Sequence, residues 1–363
     1  MPSLSVVAAR PPGAPFGPLA ERSHRRLKLV RSRAPLRLGL AGGGTDVSPF
    51  CERFGGLVVN STIDQYCYTT LAERDHKQVV FVTADRNMSA RLGQDEDSLP
   101  LHTVIYKRLC GTFALGNPSL TITTAAEAPP GSGLGSSSTL VVSAIEAFRE
   151  YFSLPLGEYD IASLAHSIER NDGGLSGGRQ DQYAATFGGC NSMEFKQTGD
   201  VLVNPLRLNP AIIQELEASL ALFYTGVERA SANIIDKQTQ HIRGQHIDRI
   251  AATLRLKDEA ASMKEALLLG DLQRVATVLS AGWAAKRQLA KGIATPRIDA
   301  LFDLALANGA LAGKVSGAGG GGYILFLCEP HLRPHLIATL STTEGRVDTA
   351  HFVEHGATAW RLN

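Results

Sequence analysis

The sequence has no surplus of either charge: lysine and arginine number 36 against 35 aspartates and glutamates, a net charge of +1 over 363 residues. A dedicated nucleic-acid binder needs a basic stripe to neutralise phosphates, so that class is excluded. A small anion held in a local pocket is not. Cysteine is scarce and odd in number, and Cys51, Cys67, Cys110, Cys190 and Cys328 include no C-x-x-C pair. They read as buried thiols in a reducing compartment, neither a disulfide framework nor a zinc site. Histidine offers no metal spacing on a credible helix, since Pro334 interrupts the pair His331 and His335. No apolar run approaches the ~18 residues of a membrane span. No basic segment precedes the short apolar stretch Leu4 to Ala9, so neither a membrane nor an export signal is expected. These absences point to the cytoplasm. The chain exceeds the roughly 250–300 residues that one core fills, so two domains are expected.

Glycine, in contrast, is concentrated. Of 36 glycines, 17 fall in five clusters: 42–44, 131–135, 173–178, 188–189 and 317–322. Such bunching marks backbone that must approach something closely, and phosphate is the usual reason.

Residues 1–26 are rich in Pro, Gly and Arg without periodicity and read as a flexible leader. Strands are expected from Leu27 onward, over 56–72, 78–84 and 119–127, with a helix over 101–114. A helix then follows the second glycine cluster, where Val141, Ala144, Ile145 and Phe148 keep the spacing of a buried face. A second helix is expected over 158–170. The two prolines of 201–210 suggest a hinge between a first unit, 27–207, and a second, 208–363. In the second unit, strands are expected at 219–224, 311–316, 322–328 and 347–362. Four helices lie between the first two of these. Strands interleaved with helices in both halves make the class α+β.

Pro130, Gly131, Ser132, Gly133, Leu134, Gly135, Ser136, Ser137 and Ser138 lie between a strand and a helix. There the first-turn N–H groups, the helix dipole and three glycines make an anion cradle. The segment is not a Walker A loop, for no lysine follows, and Ser136 breaks the dinucleotide fingerprint. The bland alternative is a capped helix after a tight turn. The later run KVSGAGGGG matches G-x-G-x-x-G but precedes a strand. It reads as a strand–loop–strand whose backbone at Gly319 and Gly320 passes near a ligand, or as a plain hairpin. In RAPLRLGLAGGGTD, Gly43, Gly44, Thr45 and Asp46 offer a carboxylate to sugar hydroxyls, or a turn with an aspartate cap. Glu169 and Asp181 bracket a glycine loop and could supply one metal ligand and one base, though each alone is most often a solvated acid. Arg229, opening a helix after strand 219–224, would make an anion site for a substrate phosphate, or would serve a structural or nucleotide-side role.

The segment Pro130 to Ser137 carries P-x-x-x-G-L-G-S-S. With RAPLRLGLAGGGTD and GGRQDQYAATFGG it resembles the GHMP kinase superfamily in the family's order, over about residues 28 to 363. The detailed forms are most similar to the sugar-1-kinase branch that takes D-glycero-D-manno-heptose 7-phosphate, with fucokinases as neighbours. Gly42-Gly43-Gly44-Thr45-Asp46 departs from the G-E-H-T-D form of galactokinase-like enzymes. The resemblance implies a ribosomal protein S5 domain 2-like N-terminal domain, a ferredoxin-like C-terminal domain and a site between them. It further implies ATP and Mg²⁺, with Ser137 and Glu169 on the metal, Asp181 as base and Arg37 beside it. The expected partner is a small-molecule sugar phosphate, with a homodimer as a further option and neither nucleic acid nor membrane. Competing expectations are a kinase of a plain sugar such as L-fucose, and a sugar- and ATP-binding regulator without turnover. A regulator has no need of both Glu169 and Asp181.

Overall fold

The computed structural model describes residues 28–227 and 231–362; the leader expected over 1–26 and the candidate Arg229 lie outside them. The strands are β1 (Leu29–Ala41), β2 (Gly56–Glu73), β3 (Val80–Thr83), β4 (Met88–Arg91), β5 (Leu120–Ala126), β6 (Cys190–Phe195), β7 (Val201–Pro205), β8 (Leu220–Tyr224), β9 (Ala310–Val315), β10 (Tyr323–Cys328), β11 (Arg346–Asp348) and β12 (Thr358–Leu362). The helices are α1 (Phe50–Phe54), α2 (Pro100–Thr112), α3 (Ser136–Phe152), α4 (Glu158–Ser167), α5 (Gln180–Phe187), α6 (Pro210–Ser219), α7 (Ser231–Arg243), α8 (Ile247–Leu269), α9 (Leu272–Arg287), α10 (Pro296–Ala307) and α11 (Arg333–Leu340).

The first sheet runs β12-β1-β2-β5-β3-β4, with β6 pairing β2 and β7 pairing β6. Its pairings are antiparallel except for β3 with β5. The second sheet is antiparallel in the order β11-β8-β10-β9. Helix α3 packs on β1 and β2 with the face its spacing predicts, Val141, Ala144, Ile145 and Phe148 all being buried. Alternation along the second sheet divides its side chains between two cores. Leu220, Leu222, Leu325 and Leu327 join the core of the first sheet, together with Met263 and Leu267 of α8 and Leu279 of α9. Ala221, Phe223, Ile324 and Phe326 face a separate cluster built on Trp283 and Phe302. Helices α8 and α9 therefore fill the space between the sheets.

In the segment 201–210, where a boundary between two units is expected, the first half is β7, and Asn209 caps α6 by accepting from the Ala211 N–H at 2.9 Å. Two expectations change. The strand expected over 347–362 is two strands in different sheets, β11 against β8 and β12 against β1. The helix expected to Arg170 ends at Ser167 and passes into a π-turn, Ile168–Asp172.

Candidate active site

The second glycine cluster joins β5 to α3. Gly135, at φ 85°, is the N-cap of α3, and no side chain caps the helix there. Its first-turn donors are thus left to the loop. Of the three serines, Ser137 is the exposed one. Ser136 lies 3.3 Å from the Ser132 hydroxyl, and Ser138 donates to Glu169 Oε2 at 2.6 Å. Leu134 points away into the core, and Pro130 lines a neighbouring cavity with Leu99, Leu101, Ala126 and Leu140, where Asp85, Arg86 and His102 add polar groups.

The last glycine cluster, the turn from β9 to β10, packs on this loop. A Cβ on Gly133 would lie 2.5 Å from the Ser316 carbonyl oxygen, and one on Gly322 2.4 Å from that of Ser132. The Tyr323 N–H and the Ser316 hydroxyl each donate to the loop, to Ser132 O and Gly133 O, both at 2.8 Å. These glycines serve the contact of one backbone with another. Gly319 and Gly320 sit against Ile293, the Gly320 N–H bonding its carbonyl at 2.8 Å, and it is Gly317 and Ala318 that reach the cavity.

Arg37 follows an irregularity in the pairing of β1 with β2 between Pro35 and Arg37, the kind of bulge that re-aims a side chain. Its guanidinium is buried and bonds Asp181 Oδ1 through Nε at 2.7 Å and Nη2 at 2.6 Å. Nη1 donates to Gly133 O at 2.6 Å. Asp181 stands in the first turn of α5, where the helix dipole favours its charge. A Cβ on Gly135 would lie 3.1 Å from the Asp181 carboxyl carbon, so loop and carboxylate touch.

The turn 42–46 closes on the same space. Thr45 is fully committed to backbone: its hydroxyl donates toward Gly42 O at 2.8 Å and Leu57 O at 2.9 Å and accepts from the Leu57 N–H at 3.0 Å. Asp46, also buried, accepts from the Gly44 N–H at 3.1 Å and from the Gln180 N–H at 3.1 Å, tying the turn to the start of α5. Gly43, Gly44 and Asp46 line the cavity; Thr45 does not.

Glu169 lies in the π-turn, a distortion frequent at functional sites. Its carboxylate accepts from Ser138 and from Gln182 Nε2 at 2.7 Å and lies 3.4 Å from Arg170. Glu169 and Ser137 face the cavity as hard oxygen donors. Among the described residues no group of three or more His, Cys, Asp or Glu could hold a metal. A Mg²⁺ ion bound through one carboxylate and substrate phosphates needs no such group, so the donor set fits it.

Two lysines complete the wall, Lys286 from outside the motifs and Lys314 from the first position of the KVSGAGGGG run. Lys286, near the end of α9, meets the Gly317 carbonyl, and Lys314, on β9, donates to Leu40 O at 3.1 Å. Burial, with Arg37 nearby, pulls Lys286 down to about 8, partly offset by Asp46 and Asp181. Burial, then Lys286 and Arg37, hold Lys314 well below the usual lysine range. A signal for Lys286 existed, for it continues the apolar stripe Val275, Leu279, Trp283 of α9. The cavity thus sets the basic groups Arg37, Arg170, Lys286 and Lys314 beside the acids Asp46, Glu169 and Asp181.

The chain matches the family models for the GHMP kinases N-terminal domain over residues 101–189 and the GHMP kinases C-terminal domain over 263–341. It is 40% identical to the D-glycero-alpha-D-manno-heptose 7-phosphate kinase of Campylobacter jejuni, over 93% of this chain and all of that one. The crystal structure of a D-glycero-D-manno-heptose 1-phosphate kinase from Bacteroides thetaiotaomicron superposes with a TM-score of 0.77 at 39% identity, covering 92% of this chain and 99% of that one. Lactococcus lactis galactokinase complexed with galactose shares the fold, at a TM-score of 0.74 and 17% identity over 91% of this chain and 95% of that one. With both domains in order and such a relative along nearly its whole length, the chain belongs to the GHMP kinase family, phosphotransferases with an alcohol acceptor.

Proposed function

We propose that the protein transfers the γ-phosphoryl group of ATP to the anomeric hydroxyl of D-glycero-D-manno-heptose 7-phosphate, giving the 1,7-bisphosphate and ADP. The observation that carries this reading is Asp181, gripped by Arg37 and in contact with the phosphate loop at Gly135. The identity to a heptose 7-phosphate kinase along the chain supports the choice of sugar.

The loop from Gly131 to Ser138 holds the phosphates with backbone amides and the Ser137 hydroxyl. The neighbouring cavity that shares Gly131, Ser136 and Ser137 with it, with leucine walls and a few polar groups, suits the nucleoside. Asp181 receives the proton of the anomeric hydroxyl, or orients it, as that oxygen bonds the γ-phosphorus and the bond to the ADP oxygen breaks. Phosphoryl transfer asks for positioning and charge neutralisation, and Arg37 supplies both. Ser137 and Glu169 would hold Mg²⁺, which neutralises phosphate charge when bound. Asp46, Gly43 and Gly44 bound the acceptor's side of the cavity.

The reading includes an N-terminal unit of 27–207 and a C-terminal unit of 208–363 that lends its last strand to the first sheet. It also includes a cytoplasmic location, supported by five cysteines outside any disulfide. Among the described residues no helix is long and apolar enough to cross a membrane. A homodimer is part of the proposal, to be read from the mass in solution. The deciding experiment is a coupled ADP-release assay over heptose 7-phosphate, the unphosphorylated heptose, L-fucose and galactose. Turnover highest on heptose 7-phosphate is expected, and a preference for a plain sugar refutes the assignment.

A further inference from the structure

Three polar groups around the Gly43–Gly44 turn reach the cavity with bonding capacity unused. Lys286 is 5% exposed and meets one carbonyl, that of Gly317, with no carboxylate within ion-pair distance among the described residues. An ammonium has three hydrogens to donate. Gln180 gives an amide N–H to Asp46 Oδ1 at 3.3 Å. A carboxylate only accepts, so this bond fixes which end of the amide is nitrogen and leaves Oε1 a buried acceptor without a partner. Gln238, on α7, buries Nε2 without a partner.

The three are neighbours across bare backbone. A Cβ on Gly43 would lie 3.8 Å from both Gln180 Nε2 and Lys286 Nζ, and one on Gly44 3.9 Å from Gln238 Oε1. All three line the cavity that holds Asp181. Buried polar atoms are costly to leave unpaired, and a cluster of them in one cavity implies a ligand that pairs them. Two donors and one acceptor on one rim match hydroxyl groups, each of which both accepts and donates. Phosphate oxygens would leave the Gln180 acceptor unpaired.

We propose that Lys286, Gln238 and Gln180 form the acceptor subsite, which recognises adjacent hydroxyls of a sugar ring and so selects the substrate. No family motif of this sequence contains Lys286 or Gln238. The inference rests on the sugar-kinase reading above, and the bare glycines beneath the three groups are what lets the ring approach them.

The test measures kcat and both KM values for wild type, Lys286→Met, Lys286→Arg and Gln238→Leu, with calorimetric binding of the sugar phosphate alone. Losing a charged hydrogen bond should raise the acceptor KM about tenfold or more in Lys286→Met. Gln238→Leu should raise it several-fold, ATP KM should stay within about twofold in both, and Lys286→Arg should recover part of the loss. A raised ATP KM with an unchanged acceptor KM overturns the subsite and gives Lys286 to the nucleotide. A fall in kcat alone overturns it as well. If Lys286→Met does not fold, Gln238→Leu decides, being on a different helix. Should wild type prefer a plain sugar, the heptose-phosphate reading fails while the same comparison on that sugar still decides the subsite. Turnover of no sugar overturns both.

Discussion

Arg37 holds Asp181 by one oxygen only: Nε and Nη2 both reach Oδ1, at 2.7 and 2.6 Å. Oδ2 stays on the side of Gly135, where it can meet a hydroxyl. In the base role proposed for Asp181, one oxygen would keep the orientation and the other would meet the proton.

Asp181→Asn keeps the shape and removes the proton acceptor. The expected result is a kcat lower by about 10²–10⁴-fold, with the Kd for ATP near that of wild type. Single-turnover kinetics beside nucleotide titration makes the check, and a retained wild-type kcat removes Asp181 from the base role.

Gly133 and Gly135 separate two consequences of one loop. Gly133→Val drives a Cβ into the Ser316 backbone at 2.5 Å from a φ of 82°, so it should lower the melting temperature as well as abolish nucleotide binding. Strain of this class costs about 1–3 kcal/mol, and more where backbone must move. Gly135→Ala meets the Asp181 side chain instead, at 3.1 Å. Its expected signature is a larger fractional loss of kcat than of stability, read by thermal denaturation and assay on the same preparation. Equal thermal stability of Gly133→Val and wild type contradicts the packing argument.

The cradle was legible because its chemistry is local: a strand, three glycines and a helix start are adjacent in the chain. Asp181 and Glu169 were legible for the same reason, each standing beside a glycine loop. The place of Lys314 in the cavity wall and the contact of Gly133 with Ser316 were not, since both join segments far apart in sequence. The glycines at 317–322 were noticed as bare backbone, but the partner that demands it is residues 131–133. The two-sheet fate of 347–362 was equally hidden, for alternation marks a strand and does not name the sheet it joins.

Glu169→Gln removes charge from a carboxylate held by Ser138, Gln182 and Arg170. If Glu169 and Ser137 hold Mg²⁺, both Glu169→Gln and Ser137→Ala should shift the Mg²⁺ needed for half-maximal rate upward, several-fold or more. Glu169→Gln should also loosen the α3–π-turn contact, whereas the exposed Ser137 should leave stability unchanged. A Mg²⁺ titration that moves in neither variant refutes the metal assignment.

Lys286 carries a pH signature whose sign can be worked out. Burial, then Arg37, lowers it from 10.5 to about 8, while Asp46 and Asp181 act in the opposite direction. Between about pH 8 and 10.5 the unfolded chain therefore holds a proton there that the folded chain has released. The unfolding free energy gains a positive slope with pH in that window, and burial of the charge weighs against the fold below it. Lys286→Met removes both effects. Its urea midpoint should exceed or equal that of wild type at pH 7, with the difference shrinking toward pH 10. Function moves the other way, because the ammonium needed by the acceptor is lost as pH passes about 8. The acceptor KM of wild type should climb there, whereas Lys286→Arg, which stays charged, should climb less. An acceptor KM that rises identically in wild type and Lys286→Arg assigns the titration to another group.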